Sequence, residues 1–471
     1  MTEATRTETD SLGTIEIPAD KLWGPQTERA RRLFRIGVER FPPVLIRAVG
    51  LQKQAAAEAN LELGELPRAI AEPIIAAAAE IAANRLDEHF PLPVWQTGSG
   101  TQTNMCANEV IANRAAQMLG RPLGSRDPIH PNDHVNRGQS SNDSFPTVMH
   151  VAALEAVEHR LLPALDVLRC ALAARAEAWE RIVKLGRTHM MDAVPMTLGQ
   201  EFATFAAQLA HAIARVRATR ADLALLPQGG TAVGTGLNRH PAFDRVFCER
   251  LAALTGRGYT PALLKFEAMA AHDALVALSA ALSGLAVTLM KIGNDIRLLG
   301  SGPRAGLAEL IVPADGLSSS IMPGKTNPTQ VEALTQVCAQ AIGNHTTVTL
   351  AASHGHLQLN VFKPVIIHCV LQSAGLLADA AEGFARNMVE KLVPNEPQIA
   401  RHVANSLMLA TALNPRLGYD RAVAVAKKAL AENITLREAA VALGYLSGEE
   451  FDALVRPEDM TRPGSMLAGS G

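Results

Sequence analysis

Aromatic residues are scarce in this 471-residue chain, at 4% of the total. A β-sandwich leans on aromatic and β-branched side chains. The chain offers long alanine–leucine tracts instead, which favour helix. Cysteine is also rare: Cys106, Cys170, Cys248, Cys338 and Cys369 are scattered, odd in number and form no C-x-x-C pair. That spacing excludes a disulfide framework and a paired-cysteine zinc site, and it fits a reducing compartment. Net charge is only −2, from 44 basic and 46 acidic residues, which excludes a general electrostatic pull toward nucleic acid or anionic membrane. Residues 1–18 hold no apolar signal core and too many acids for a mitochondrial presequence, so a cytoplasmic location is expected. Hydrophobic residues make up 48%, ample for a large core divided among two or three domains.

One stretch, the uncharged run Ala274–Met290, approaches a membrane span. It carries Ser279, Ser283, Gly284 and Thr288, and its apolar register continues past Lys291. Leu275, Leu278, Leu282, Leu285, Leu289, Ile292, Ile296 and Leu299 alternate three- and four-residue spacings, which makes a single seam on a long bundle helix, predicted over 268–300. Almost no charge lies on any face, so one chain does not supply enough neighbours to cover it. Leu154, Val157, Leu161, Ala164 and Leu168 form a second seam, with a kink expected at Pro163. Phe202, Phe205, Leu209, Ile213 and Val216 form a third, opened near residue 198 by the capping box Thr197/Gln200. A further helix is predicted over 328–351, and short capped helices begin at Thr435/Glu438 and Ser447/Glu450. The fold class is therefore mainly all-α. Its expected parts are a mixed N-terminal domain (1–140), a central long-helix bundle (141–394) and a small helical C-terminal domain (395–471).

Two nucleotide-binding patterns fail. Gly324-Lys325-Thr326 lacks the glycine five positions earlier, where Ser319 stands, and Gly98-Ser99-Gly100 is followed by Thr103 where a third glycine belongs. Metal ligation is not expected either, since His354 and His356 flank Gly355 at a loop spacing. Four polar clusters remain: Gly98–Asn104; His130-Pro131-Asn132-Asp133 with Gln139–Asp143; Gly186-Arg187-Thr188-His189; and Ser318–Asn327. Most precede a predicted helix, where free N–H groups, hydroxyls and amides suit an anion such as a carboxylate.

Together these clusters resemble the fumarase/aspartase superfamily, specifically the class II fumarases. The fourth matches the family's signature loop, Gly-Ser-Ser-x-Met-Pro-x-Lys-x-Asn, with Ser318 in place of the leading glycine. The resemblance runs from Ser11-Leu12-Gly13 and Leu22-Trp23-Gly24-Pro25-Gln26-Thr27 to Gly444-Tyr445-Leu446 and Val455-Arg456-Pro457, nearly the whole chain. It implies reversible hydration of fumarate to (S)-malate through an aci-carboxylate, without cofactor or metal. It implies substrate binding by Ser99, Gly100, Thr101, Ser140, Ser141, Asn142, Thr188, Ser320, Lys325, Thr326 and Asn327. His189 and Ser319 would be the catalytic pair, with Glu332 orienting His189. The family also implies a homotetramer whose active sites are shared between subunits.

Alternatives within the resemblance are an aspartate ammonia-lyase and a catalytically silent structural homologue. Ammonia-lyases carry Gln where His189 stands and Pro-Ala-Lys in place of Pro323-Gly324-Lys325, and an intact set of His189, Ser319, Lys325 and Asn327 argues against silence. The family's accessory anion site would fall on His130, Pro131, Asn132 and Asp133. Asp127 there replaces an arginine and should weaken a second dicarboxylate. Met191 and Leu264 are further departures from the usual Gln and Asn.

Overall fold

The computed structural model describes residues 4–317 and 321–463. Most of the chain is helical. The strands among the described residues are short and pair two by two, such as the hairpin Thr5–Asp10 with Gly13–Pro18. The chain forms two compact units. The first comprises Met1–Pro163, Ile213–Val287 and Val337–Ala378; the second comprises Ala164–Ala212, Thr288–Gln336 and Asp379–Gly471.

In the first unit, the helices Pro43–Glu62, Arg68–Ala82, Thr101–Met118 and Ser141–Ala156 pack closely. Their core includes Ile74, Ile81, Val110 and Ile111, with Trp23 and Ile129 from flanking loops. In the second unit, a core of Val403, Leu413, Val425, Leu436 and Phe451 joins the C-terminal helices. Capping boxes form at Thr197/Gln200, Thr435/Glu438 and Ser447/Glu450, as the sequence predicts. The predicted 328–351 helix runs Thr329–Ala352.

All eight residues of the longest seam are buried, from Leu275 at 0% exposure to Leu299 at 5%. The other two seams are buried throughout as well. The long helix spans Asp273–Leu299, shorter than predicted, because Lys265–Ala270 forms a separate helix. Between them Ala271 is extended (φ −121°, ψ 156°), and the fully buried His272 supplies the carbonyl that opens the next helix. The backbone turns extended at Ala271, and local propensity gives no warning of it. Around Pro163 the expected kink takes the form of a π-helical turn, Val157–Leu161, just before the proline. Pro163 then falls in the first turn of Leu162–Ala178, where its missing N–H costs least.

By length and composition, Asp273–Leu299 and Lys363–Lys391 could each cross a membrane. The first buries its seam within the protein and leaves Ala277, Ala280 and Val287 of its opposite face exposed. No charged residue lies between Ala274 and Met290 on this helix.

Candidate active site

Two helix N-termini meet in the first unit. Gly100 caps Thr101–Met118 in the left-handed region, at φ 75°. A Cβ there would stand 2.3 Å from the Phe145 ring, so only glycine lets the turn pack against the neighbouring helix. The Ser99 and Thr101 hydroxyls are 2.6 Å apart. Ser140 caps Ser141–Ala156: its Oγ accepts from the Asn142 N–H at 3.2 Å, while its own N–H donates to Asp143 Oδ1 at 2.9 Å. Asn104, in the first turn after Gly100, donates its amide to Ser141 Oγ at 3.1 Å and so ties the two termini together. The result is a concentration of hydroxyls and helix-end N–H groups suited to a carboxylate.

Asp143 holds this corner from beneath. It is fully buried, and its Oδ2 accepts from the N–H groups of Gly229 and Thr231, each at 2.9 Å. The Asn142 side chain donates to the Ala232 carbonyl at 2.8 Å, so the 229–232 loop is stapled to the helix start by two consecutive residues. Burial pushes the Asp143 carboxyl up to about 6, against its backbone hydrogen bonds, and pushes the nearby Lys53 amine down to about 7.

In the second unit, Val183–Thr188 and Met191–Thr197 form an antiparallel hairpin with a register shift beside Gly186. His189 and Met190 make its two-residue turn with φ 56° and 65°. Two successive left-handed residues are what a type I′ turn requires. Neither is glycine, so the turn costs about 1–2 kcal/mol per residue and must be held by its stem. The stem is held by charge. Arg187 Nη1 lies 2.7 Å from Glu309 Oε1, and Lys184 Nζ lies 2.9 Å from Glu309 Oε2 and 2.6 Å from Glu201. Glu309 has no exposed side-chain surface. His189 itself is exposed at the tip, beside exposed Thr188.

The signature loop falls in the same unit. Ser318, Ser319 and Ser320 lie outside the described residues. Met322-Pro323-Gly324-Lys325 is a tight turn closed by Lys325 N–H to the Met322 carbonyl at 3.2 Å, with Gly324 at φ 79°. Proline followed by a left-handed glycine is the type II pattern. Lys325 and Thr326 are exposed, and Asn327 is half-buried at the start of Thr329–Ala352. Glu332 is exposed on the first turn of that helix. Among the described residues, no hydrogen bond or ion pair joins Glu332 to His189 within the chain.

The residues around His130 serve their own loop. His130 Nδ1 accepts from the N–H groups of Asn132 at 3.3 Å and Asp133 at 3.2 Å, capping the π-helical turn Pro131–Val135. Sequence reasoning missed Asp143, Lys53 and Glu309 as supports of the site. Asp143 had a local signal, an acid three positions after a capping serine. Lys53 and Glu309 had none, because their partners are distant in sequence.

A family model described as Lyase matches residues 13–343, and one described as Fumarase C C-terminus matches residues 409–462. The chain is 57% identical to the class II fumarate hydratase of Caulobacter vibrioides, over 98% of this chain and 100% of that one. It is 55% identical to the mitochondrial fumarate hydratase of Danio rerio, over 98% of this chain and 91% of that one. Among solved structures, the class II fumarase of Schistosoma mansoni superposes with a TM-score of 0.93 at 41% identity. That match covers 98% of this chain and all of the other.

Proposed function

The chain belongs to the class II fumarate hydratases, and from that premise we propose how its residues divide the work. It is a hydro-lyase that catalyses the reversible hydration of fumarate to malate, and small dicarboxylates are its substrates. We assign one substrate carboxylate to the paired helix N-termini, held by Ser99, Gly100, Thr101, Ser140, Ser141 and Asn142. The observation that carries this assignment is the Asn104–Ser141 tie between two capped termini. Thr188, Ser320, Lys325, Thr326 and Asn327 complete the pocket.

In the dehydration direction Ser319 takes the carbon-bound proton beside a carboxylate. The aci-carboxylate that forms carries an extra negative charge, which Lys325 and the amide donors stabilise as it develops. His189, oriented by Glu332, then delivers a proton to the departing hydroxyl, which leaves as water; addition across fumarate reverses these steps, giving (S)-malate. Neither step calls for a metal or an organic cofactor.

Four chains would supply the shared central bundle, and each site would combine residues of more than one chain. The exposed apolar face of Asp273–Leu299 supports this reading, as does the absence of a Glu332–His189 contact within the described part of one chain. We place the enzyme in the cytoplasm and keep 1–140, 141–394 and 395–471 as its domain division. A second dicarboxylate site at His130, Pro131, Asn132 and Asp133 would bind weakly, because Asp127 and Asp133 add negative charge and His130 Nδ1 is spent on capping.

Purified protein mixed with malate should raise the ultraviolet absorbance of fumarate without added metal, and a chelator should not stop it. Ammonia released from aspartate at a comparable rate would overturn the substrate assignment.

A further inference from the structure

Behind the Ser140–Asn142 turn, a partly buried chain of hydrogen bonds leads from Lys53 to the Asn104–Ser141 tie. Lys53 sits within the helix Pro43–Glu62 at 1% exposure. Its Nζ donates to Asn136 Oδ1 at 3.1 Å and to Gln139 Oε1 at 3.0 Å. An amine donates to both oxygens in either protonation state, since the neutral form still carries two hydrogens. Asn136 must therefore turn its oxygen toward Lys53, and its Nδ2 donates away, to the Gln139 carbonyl at 3.2 Å. The same Asn136 oxygen accepts from Asn104 Nδ2 at 3.3 Å, which fixes the orientation of that second amide. The second hydrogen of Asn104 Nδ2 then points to Ser141 Oγ, at 3.1 Å. A hydroxyl that accepts from behind keeps its own proton for the front.

We propose that Lys53 is a positioning residue for substrate binding: through Asn136 and Asn104 it orients the Ser141 hydroxyl as a donor toward the substrate carboxylate. The inference rests on the reading of Ser141 as a substrate ligand. Without Lys53 the Asn136 oxygen loses the donor that holds it inward, and only the Nδ2 bond to the Gln139 carbonyl opposes a flip. Flipped, it would present nitrogen to Asn104, which would flip in turn and present oxygen to Ser141. The hydroxyl would then donate inward and meet the carboxylate with its lone pairs, turning an attraction into a repulsion. A merely structural Lys53 would change stability and leave substrate binding alone.

The test is a double-mutant cycle on Lys53→Met and Ser141→Ala, read as KM and kcat for malate and as the inhibition constant of succinate, a dicarboxylate that cannot react. Each single substitution should raise KM and the succinate constant about tenfold, and Lys53→Met, which leaves the reacting groups in place, should leave kcat little changed. The double variant should be no worse than Ser141→Ala alone, because the relay has no other endpoint. Unchanged succinate binding in Lys53→Met, or additive losses approaching a hundredfold in the double variant, would overturn the proposal. If Ser141→Ala alone leaves KM and the succinate constant unchanged, the ligand assignment fails instead, and that variant distinguishes the two failures. Should Lys53→Met fail to fold, Asn104→Leu cuts the relay at its last link. It should show the same tenfold rise and the same lack of additivity with Ser141→Ala; unchanged binding would again overturn the relay.

Discussion

His189→Asn and Ser319→Ala should each lower kcat for malate dehydration by at least ~100-fold while leaving the unfolding temperature close to that of the wild type. The His189 substitution isolates chemistry from folding unusually well. The residue sits at φ 56° on an exposed hairpin tip and makes no hydrogen bond among the described residues. Asparagine is one of the few side chains that accepts the left-handed region readily, so the turn keeps its shape when the imidazole is removed. What is lost is the imidazole that, in the proposed reaction, delivers the proton to the departing hydroxyl. Serine is a poor base at its ordinary pKa, so the Ser319 assignment requires an anion-stabilising environment from Lys325 and the surrounding amides. A Ser319→Ala enzyme with near-wild-type turnover would assign the base to another group.

The second large effect is on stability. Glu309→Leu should cost about 3–5 kcal/mol, because it strips a buried carboxylate from Arg187 and Lys184 and leaves their charges without it. Lys184 keeps Glu201, but Arg187 has only Glu309 among its ion pairs with described residues, and its side chain is 13% exposed. Arg187 lies two residues before His189, so the turn should loosen and kcat should fall along with the midpoint of urea unfolding. A midpoint shift worth less than about 1 kcal/mol would show that packing, and not this ionic cluster, holds the hairpin stem.

The elements legible in the sequence were those whose rule is local. The seam Leu275–Leu299 is a periodicity, and each of its residues is buried. Each capping box pairs two residues three positions apart, and the boxes form where the pattern predicts. The break at Ala271–His272 was not legible, since no glycine or proline marks it in the sequence. In the site, the hydroxyl and amide clusters were visible because their residues are consecutive. Their supports were not: Lys53 and Asn136 are 83 positions apart, and Asp143 and Gly229 are 86. A buried lysine in an alanine-rich helix reads, in one dimension, like any solvated one.

We propose that each active site unites His189 and Ser319 from different chains. The Ser319→Ala and His189→Asn proteins, each nearly inactive alone, can test it when unfolded, mixed in equal amounts and refolded together. In a symmetric tetramer assembled at random, roughly a quarter of sites receive both intact residues. Malate dehydration should therefore recover to about that fraction of wild type. Mixed tetramers that form and yet stay as inactive as either parent would contradict the shared-site account and place both residues within one chain.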